Sequence, residues 1–216
     1  MKSPKSIADL TTLGRVRLSK NFFMREMLYS EVSNFCNVPN VPEDADLAIE
    51  AGRQFCELIL EPLRSAFGHV AVRSAYRSGK CNGHCHELFK TGDTAAWCLD
   101  NEYNAARHTW DRRDAAGFLG ATATLVIPSY IGYYEQTNDW KPLGWWIRDH
   151  LPQHDEVLFF RNLCAFNIRW YEGEGEKPIY FLDPPIEDHL TKKGMPNFTG
   201  DHSELYAGVM GQLEKA

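Results

Sequence analysis

Two short apolar runs bracket the most chemically equipped stretch of the chain, and they constrain its folding more than any other feature. The first, Val70-Ala71-Val72, leads into Arg73-Ser74-Ala75-Tyr76-Arg77-Ser78. The second, Ala121-Thr122-Ala123-Thr124-Leu125-Val126-Ile127-Pro128, follows Gly117-Phe118-Leu119-Gly120. Both read as short strands that are at least half-buried. The polar segment between them holds most of the metal-capable side chains, including Cys81, His84, Cys85, His86, Cys98, His108, Asp111 and Asp114. Any chemistry the chain performs is expected there.

The clearest helix ends just before the first of these strands. Pro42, Glu43 and Asp44 suit a helical first turn, whose positive end favours acids. Ala48, Phe55, Ile59 and Leu63 fall on one stripe with Leu58 and Phe67 beside it, while Glu50, Arg53 and Glu57 face away. Pro62 is expected to kink this helix and Gly68 to stop it. Further helices are predicted over 22–31 and 140–151, and strands over 156–160, 165–171 and 179–182. Residues 100–115 are too polar for a core strand and read as a loop or exposed helix, and 130–138 as a turn region. The predicted class is α+β, with N-terminal helices packed on a small, mainly antiparallel sheet. The expected organisation is an arm over 1–19, one domain over 20–182 with an insertion at about 79–107, and a loop-rich tail over 183–216 with a short helix from Ser203.

Bulk properties narrow the partners. With 216 residues and 44% hydrophobic content, the chain can bury one sizeable core. A net charge of −6 repels nucleic acid and anionic membrane, so neither is an expected partner. No apolar run suits a membrane span, and Met1-Lys2-Ser3-Pro4-Lys5 lacks a signal's apolar region, so cytoplasmic synthesis without a signal peptide is expected. Six cysteines are too sparse for a secreted disulfide scaffold, and Cys56 reads as a core residue. Serine-nucleophile (G-x-S-x-G) and phosphate-cradling (G-x-x-x-x-G-K) patterns are absent.

The order of elements and several motifs resemble the zinc D-alanyl-D-alanine carboxypeptidases of the hedgehog/DD-peptidase fold. The resemblance covers residues 19–171. It rests on Ser19-Lys20-Asn21-Phe22, Leu28-Tyr29-Ser30, Asn40-Val41-Pro42, Leu60-Glu61-Pro62-Leu63-Arg64 and, most specifically, Arg73-Ser74-Ala75-Tyr76-Arg77-Ser78, which is similar to the family's S-G-Y-R-S. By resemblance, Ser74, Tyr76 and Arg77 bind substrate, with Arg77 holding the carboxylate of a peptidoglycan stem peptide; a fork of guanidinium donors suits that group. A structural arginine tying a loop to the sheet is the competing reading.

The family's metal motif, S-x-H-x-x-G-x-A-x-D, departs from this sequence. With Gly120 on its glycine, Gly117 occupies the histidine position and Thr124 the aspartate position. Asn167 or Tyr171 stands where a later strand would bring the remaining histidine. Glycine offers no lone pair, and a neutral hydroxyl is a poor zinc ligand, so the resemblance implies a scaffold whose usual zinc site is erased.

Two other sites can be drawn. In a shifted register, His108 with Asp111 and Asp114 forms a catalytic cluster holding a relocated metal, completed by His150, His154 or His202; alternatively, Asp111 and Asp114 pair with Arg112, Arg113 or Arg77 at the surface. Cys81, His84, Cys85 and Cys98 have spacings that suit a structural zinc in the insertion, with free thiols or a Cys81–Cys98 disulfide as the other readings. The sequence leaves the cofactor open, with zinc the candidate if the relocated or the structural site forms. Trp140, Trp145, Trp146 and Trp170 are read as core rather than as a sugar-stacking groove. Two functions follow. One is a metal-dependent hydrolase of stem peptides with altered catalysis. The other is a binding or structural module packed against neighbouring subunits, for which the resemblance, to a family frequent in bacteriophages, implies a virion or tail.

Overall fold

A computed structural model describes residues 3–93 and 97–213. Met1 and Lys2 of the expected arm, 94–96 of the expected insertion and 214–216 of the tail lie outside them. The class is α+β: among the described residues, six strands form one mixed sheet flanked by helices. None of these helices is long and apolar enough to cross a membrane.

The helical half begins with α1 (Ile7–Gly14), α2 (Met24–Met27) and α3 (Glu31–Cys36). The single helix expected over 22–31 is thus two short ones, because Ser30 accepts a hydrogen bond from the Ser33 N–H and starts α3 as a new helix. The expected arm is also partly helical: Leu13 at the end of α1 is fully buried in the main core. In α4 (Ala45–Phe55), the Asp44 carboxylate caps the Asp46 and Leu47 N–H groups, each at 3.1 Å. The helix continues through a π-helical turn (Cys56–Leu60) into α5 (Glu61–Phe67). That widening comes just where the Pro62 ring would otherwise press on the carbonyl four residues back. Gly68, at φ +77°, ends the run. Cys56 is buried, as expected.

The sheet contains β1 (Ala71–Ser74), β2 (Gly120–Val126), β3 (His154–Phe159), β4 (Phe166–Tyr171), β5 (Ile179–Asp183) and β6 (Ile186–Thr191) in the order β1-β2-β4-β3-β5-β6. Only the β3–β5 pairing is parallel. Between strands lie α6 (Gly79–Lys90), α7 (Pro128–Thr137) and α8 (Lys141–His150), and α9 (Ala207–Leu213) closes the described chain. Pro128 opens α7 where a turn region is expected, a position at which its missing N–H costs nothing. Strand β6 and the buried Tyr206 give the tail more order than its composition suggests. Trp145 and Trp146 are both buried, stacked on His202 and His150 respectively.

Strand alternation divides the sheet into two faces. Ala121, Ala123 and Leu125 of β2, Phe166 and Ile168 of β4, and Val157 and Phe159 of β3 join the helices' apolar stripes in one core. Thr122 and Thr124, Asn167 and Arg169, and Glu156 and Leu158 face the other way and line a cavity. Residues 100–115 run beside β2, with Tyr103, Asn104, Arg107 and His108 lining this cavity and Trp110 in the core. They lack long regular structure, but Asn104, Ala106, His108, Thr109, Trp110 and Asp111 are buried. The Thr122 N–H donates to Arg107 O at 2.9 Å, and Trp110 Nε1 donates to Thr122 O at 3.1 Å. Gly120 permits this approach: a Cβ there would lie 2.1 Å from the Ala106 carbonyl oxygen.

Candidate ligand-binding site

The cavity over the open face of the sheet has a volume of about 630 Å³ and is walled by β1, β2, β3, β4, β5 and the segments around 30 and 97–108. A second hollow of about 540 Å³ adjoins it, sharing Tyr103, Arg107, Glu156 and Arg169. Trp97, Tyr103, Phe160 and Tyr180 supply aromatic surface to the larger space.

Its floor includes the two positions at which the resemblance puts metal donors on β2 and β4. Thr124 pairs with Asn167 across the strands, and its hydroxyl donates to Asn167 Oδ1 at 2.6 Å. Neither side chain is a carboxylate or imidazole, and the two satisfy each other; this donor set does not fit a catalytic zinc. Gly117, at φ +85°, contributes a turn and no donor. Tyr171 spends its hydroxyl on Asp114 Oδ2 at 2.5 Å.

The substrate-binding trio expected from the motif divides. Ser74 lines the cavity opposite Thr124. Tyr76 turns inward, fully buried, and donates to Asp111 Oδ2 at 3.1 Å. Arg77 lines the cavity: its backbone N–H is fixed to His108 O at 2.8 Å and its Nη1 reaches Cys98 Sγ at 3.0 Å. Its Nε is buried without a partner, and among the described residues no carboxylate pairs with it.

Arg77 is unusual among the arginines of this face. Arg107 is ion-paired to Glu156 and lies over the Tyr103 ring at 4.6 Å, and Tyr180 donates to the same glutamate at 2.9 Å. Arg169 bonds Asp155 Oδ2 and Ala106 O, each at 2.9 Å, and lies 4.0 Å above the Tyr171 ring. These charges are already neutralised locally. None of this network stood out in sequence, although Asn167, Arg169 and Tyr171 at every second position of an otherwise apolar strand is the pattern of a strand with a polar buried face.

The expected catalytic cluster is not brought together. His108 lines the cavity with Nδ1 2.9 Å from Ala75 O. Burial and the nearby Arg77 hold the ring well below the ordinary histidine pKa, so it is neutral, with its proton on Nδ1 and a lone pair on Nε2. Asp111 instead accepts the Glu43 and Asp44 N–H groups at 2.7 and 3.3 Å, tying the start of α4 to this segment. Asp114 bonds Tyr171 and the Ala116 and Phe118 N–H groups of its own turn. His150 and His202 are engaged with Tyr206 and Asp149, and His154 is buried with Nδ1 on Leu151 O.

Nor do the four proposed structural-zinc residues converge. His84 is exposed on α6, and Cys81 faces the Ser30 hydroxyl at 3.6 Å; only Cys85 and Cys98 pack together. Among the described residues no three His, Cys, Asp or Glu side chains are grouped to hold a metal ion. None of the six cysteines is in a disulfide, so Cys81 and Cys98 are not bridged.

Two neutral imidazoles give the fold an acid limit. Burial lowers the pKa of both His108 and His154, the latter to about 4. Below the unfolded value of about 6.5 the unfolded chain takes up protons that these folded rings refuse. Stability is therefore full above that pH and falls as pH drops toward the folded values. His154 alone contributes a loss on the order of 3 kcal/mol across its window. Urea denaturation at a series of pH values measures this, and a profile flat through that window contradicts it.

The chain matches no protein-family profile, no curated protein and no solved structure.

Proposed function

We propose that this chain is a binding module that holds the carboxylate end of a peptide, without hydrolysing it, in the cavity above β2 and β4. The scaffold is read as DD-peptidase-like and the ligand as a peptidoglycan stem peptide, on the strength of the sequence resemblance. One observation carries the binding reading: Arg77 is a cavity-wall guanidinium with no carboxylate partner among the described residues and with an unsatisfied Nε. A half-buried guanidinium whose Nε is shielded from solvent without an acceptor is better satisfied when an anion completes it. The surrounding aromatic rings suit the apolar parts of a short peptide. The Thr124–Asn167 hydrogen bond supports loss of hydrolysis, since it occupies groups at two of the expected donor positions.

Calorimetry with a peptide ending in D-Ala-D-Ala tests the reading against the same peptide carrying a C-terminal amide. The free acid is expected to bind at least roughly tenfold more tightly, the scale of one charge-assisted contact. Equal affinity, or no binding of either, rejects carboxylate recognition. Release of D-alanine by the purified protein rejects the non-hydrolytic part.

A further inference from the structure

Cys85 and Cys98 meet at the wall of the same cavity. Cys85 lies on α6 one helical turn after Cys81, and Cys98 lies on the segment that follows the described end of that region. Both are nearly inaccessible to bulk solvent, at 3% and 4% exposure, yet both line the cavity, so a small molecule reaches them only from inside it. The surroundings of the two sulfurs differ. Cys98 Sγ lies 3.0 Å from Asn82 Oδ1 and 3.2 Å from Leu99 O, acceptors that favour retention of its proton, and it receives Arg77 Nη1 at 3.0 Å. The carbonyl of Cys98 is held by His86 Nδ1 at 2.8 Å, and Asn82 Nδ2 bonds Leu99 O at 3.1 Å, so the segment carrying this thiol is pinned to α6. Packed beside Cys98, Cys85 has Val32 and Leu88 around it.

We propose that Cys85 and Cys98 are a thiol–disulfide exchange pair opening into the cavity, with Cys85 the attacking thiolate, Cys98 the resolving thiol and a low-molecular-weight disulfide such as oxidised glutathione the oxidant. Cys85 Sγ attacks one sulfur of that disulfide; the external S–S bond breaks and one glutathione leaves as thiolate. Cys98 then gives up its proton and attacks Cys85 Sγ of the mixed disulfide, expelling the second glutathione. Two protein thiols and one glutathione disulfide become one protein disulfide and two glutathione thiols, so electrons and protons balance. The division of roles agrees with the local electrostatics. The contact with Cys98 and the nearby Arg77 outweigh burial and lower the pKa of Cys85 below the ordinary thiol value, while the pair interaction and burial raise that of Cys98. Cys81, buried behind the Ser30 hydroxyl and not itself part of the cavity lining, is an internal control.

The reduced full chain, incubated under native conditions with oxidised glutathione, quenched with acid and mapped by mass spectrometry, tests this. A Cys85–Cys98 linkage is expected, with Cys81 remaining alkylatable. In Cys98→Ser, one glutathione is expected to be trapped on Cys85; on the unmutated chain, acid quenching at early times is expected to find the transient glutathione adduct on Cys85 rather than on Cys98, following their thiolate fractions. Linkage through Cys81, or persistence of an unresolved mixed disulfide on the unmutated chain, overturns the pair. A transient adduct on Cys98 of the unmutated chain overturns the roles. The linkage map of the unmutated protein decides the pairing even if a serine variant fails to fold.

Discussion

Arg77→Ala is expected to weaken binding of a free-acid D-Ala-D-Ala peptide by roughly a hundredfold, about 3 kcal/mol, and to leave the already weak binding of the amidated peptide unchanged. The backbone of residue 77 stays fixed through its N–H to His108 O, so the loss falls on the side chain alone. The thermal midpoint should stay level or rise, because truncation also removes a buried Nε that has no partner. Lysine at this position keeps the charge and loses the planar fork, so intermediate affinity is expected from Arg77→Lys. Calorimetry paired with thermal melts separates these outcomes. A dissociation constant unmoved by alanine would mean that the cavity recognises something other than a carboxylate through this residue.

Arg169→Met is expected to be the most damaging change to stability, by about 3–5 kcal/mol at neutral pH, the usual cost of stripping one partner from a buried ion pair. Asp155, itself buried, would lose its ion-pair partner, with Arg107 nearby but already paired to Glu156, and the Ala106 carbonyl would lose its donor. Burial already raises the pKa of Asp155 even with Arg169 alongside. Without the arginine it rises further, so the folded protein takes up a proton more readily than the unfolded chain. The penalty is then full above the variant's folded pKa and shrinks as pH falls through it. Chemical denaturation at neutral and mildly acidic pH checks the sign. Adding Asp155→Asn to Arg169→Met is expected to restore part of the loss, since it removes the stranded charge. A double variant as unstable as the sum of its single changes would place the cost in packing instead.

Sequence reasoning worked where burial followed a simple period. The stripe through Ala48, Phe55, Ile59 and Leu63 marked the central helix, and the apolar run after Gly120 marked β2. Polarity was the unreliable guide. Residues 100–115 resemble a solvated loop because they are rich in Asn, Arg, His and Asp, yet several are buried against a polar cavity or hold backbone groups from other elements. Asp111 shows the difficulty: its type and spacing suit metal chemistry, and its work is to hold the start of α4. Tyr76 and Arg77 divide for a simple reason, since neighbours on extended backbone point to opposite sides, so one motif supplies both a core contact and a cavity-wall cation. Tertiary pairings such as Arg107 with Glu156 join distant segments, and no local pattern announces them.

The two-faced sheet sets apart what evolution can revise cheaply. On β2 and β4, threonine and asparagine at 122, 124 and 167 touch the hollow, while their immediate neighbours at 121, 123, 166 and 168 sit in apolar packing. A library randomising only the first set would change ligand preference while most members still folded. The same effort spent on the second set would yield mostly aggregates. Recognition and foldability therefore occupy adjacent codons on the same two strands, and selectivity can drift by single substitutions without repacking the interior.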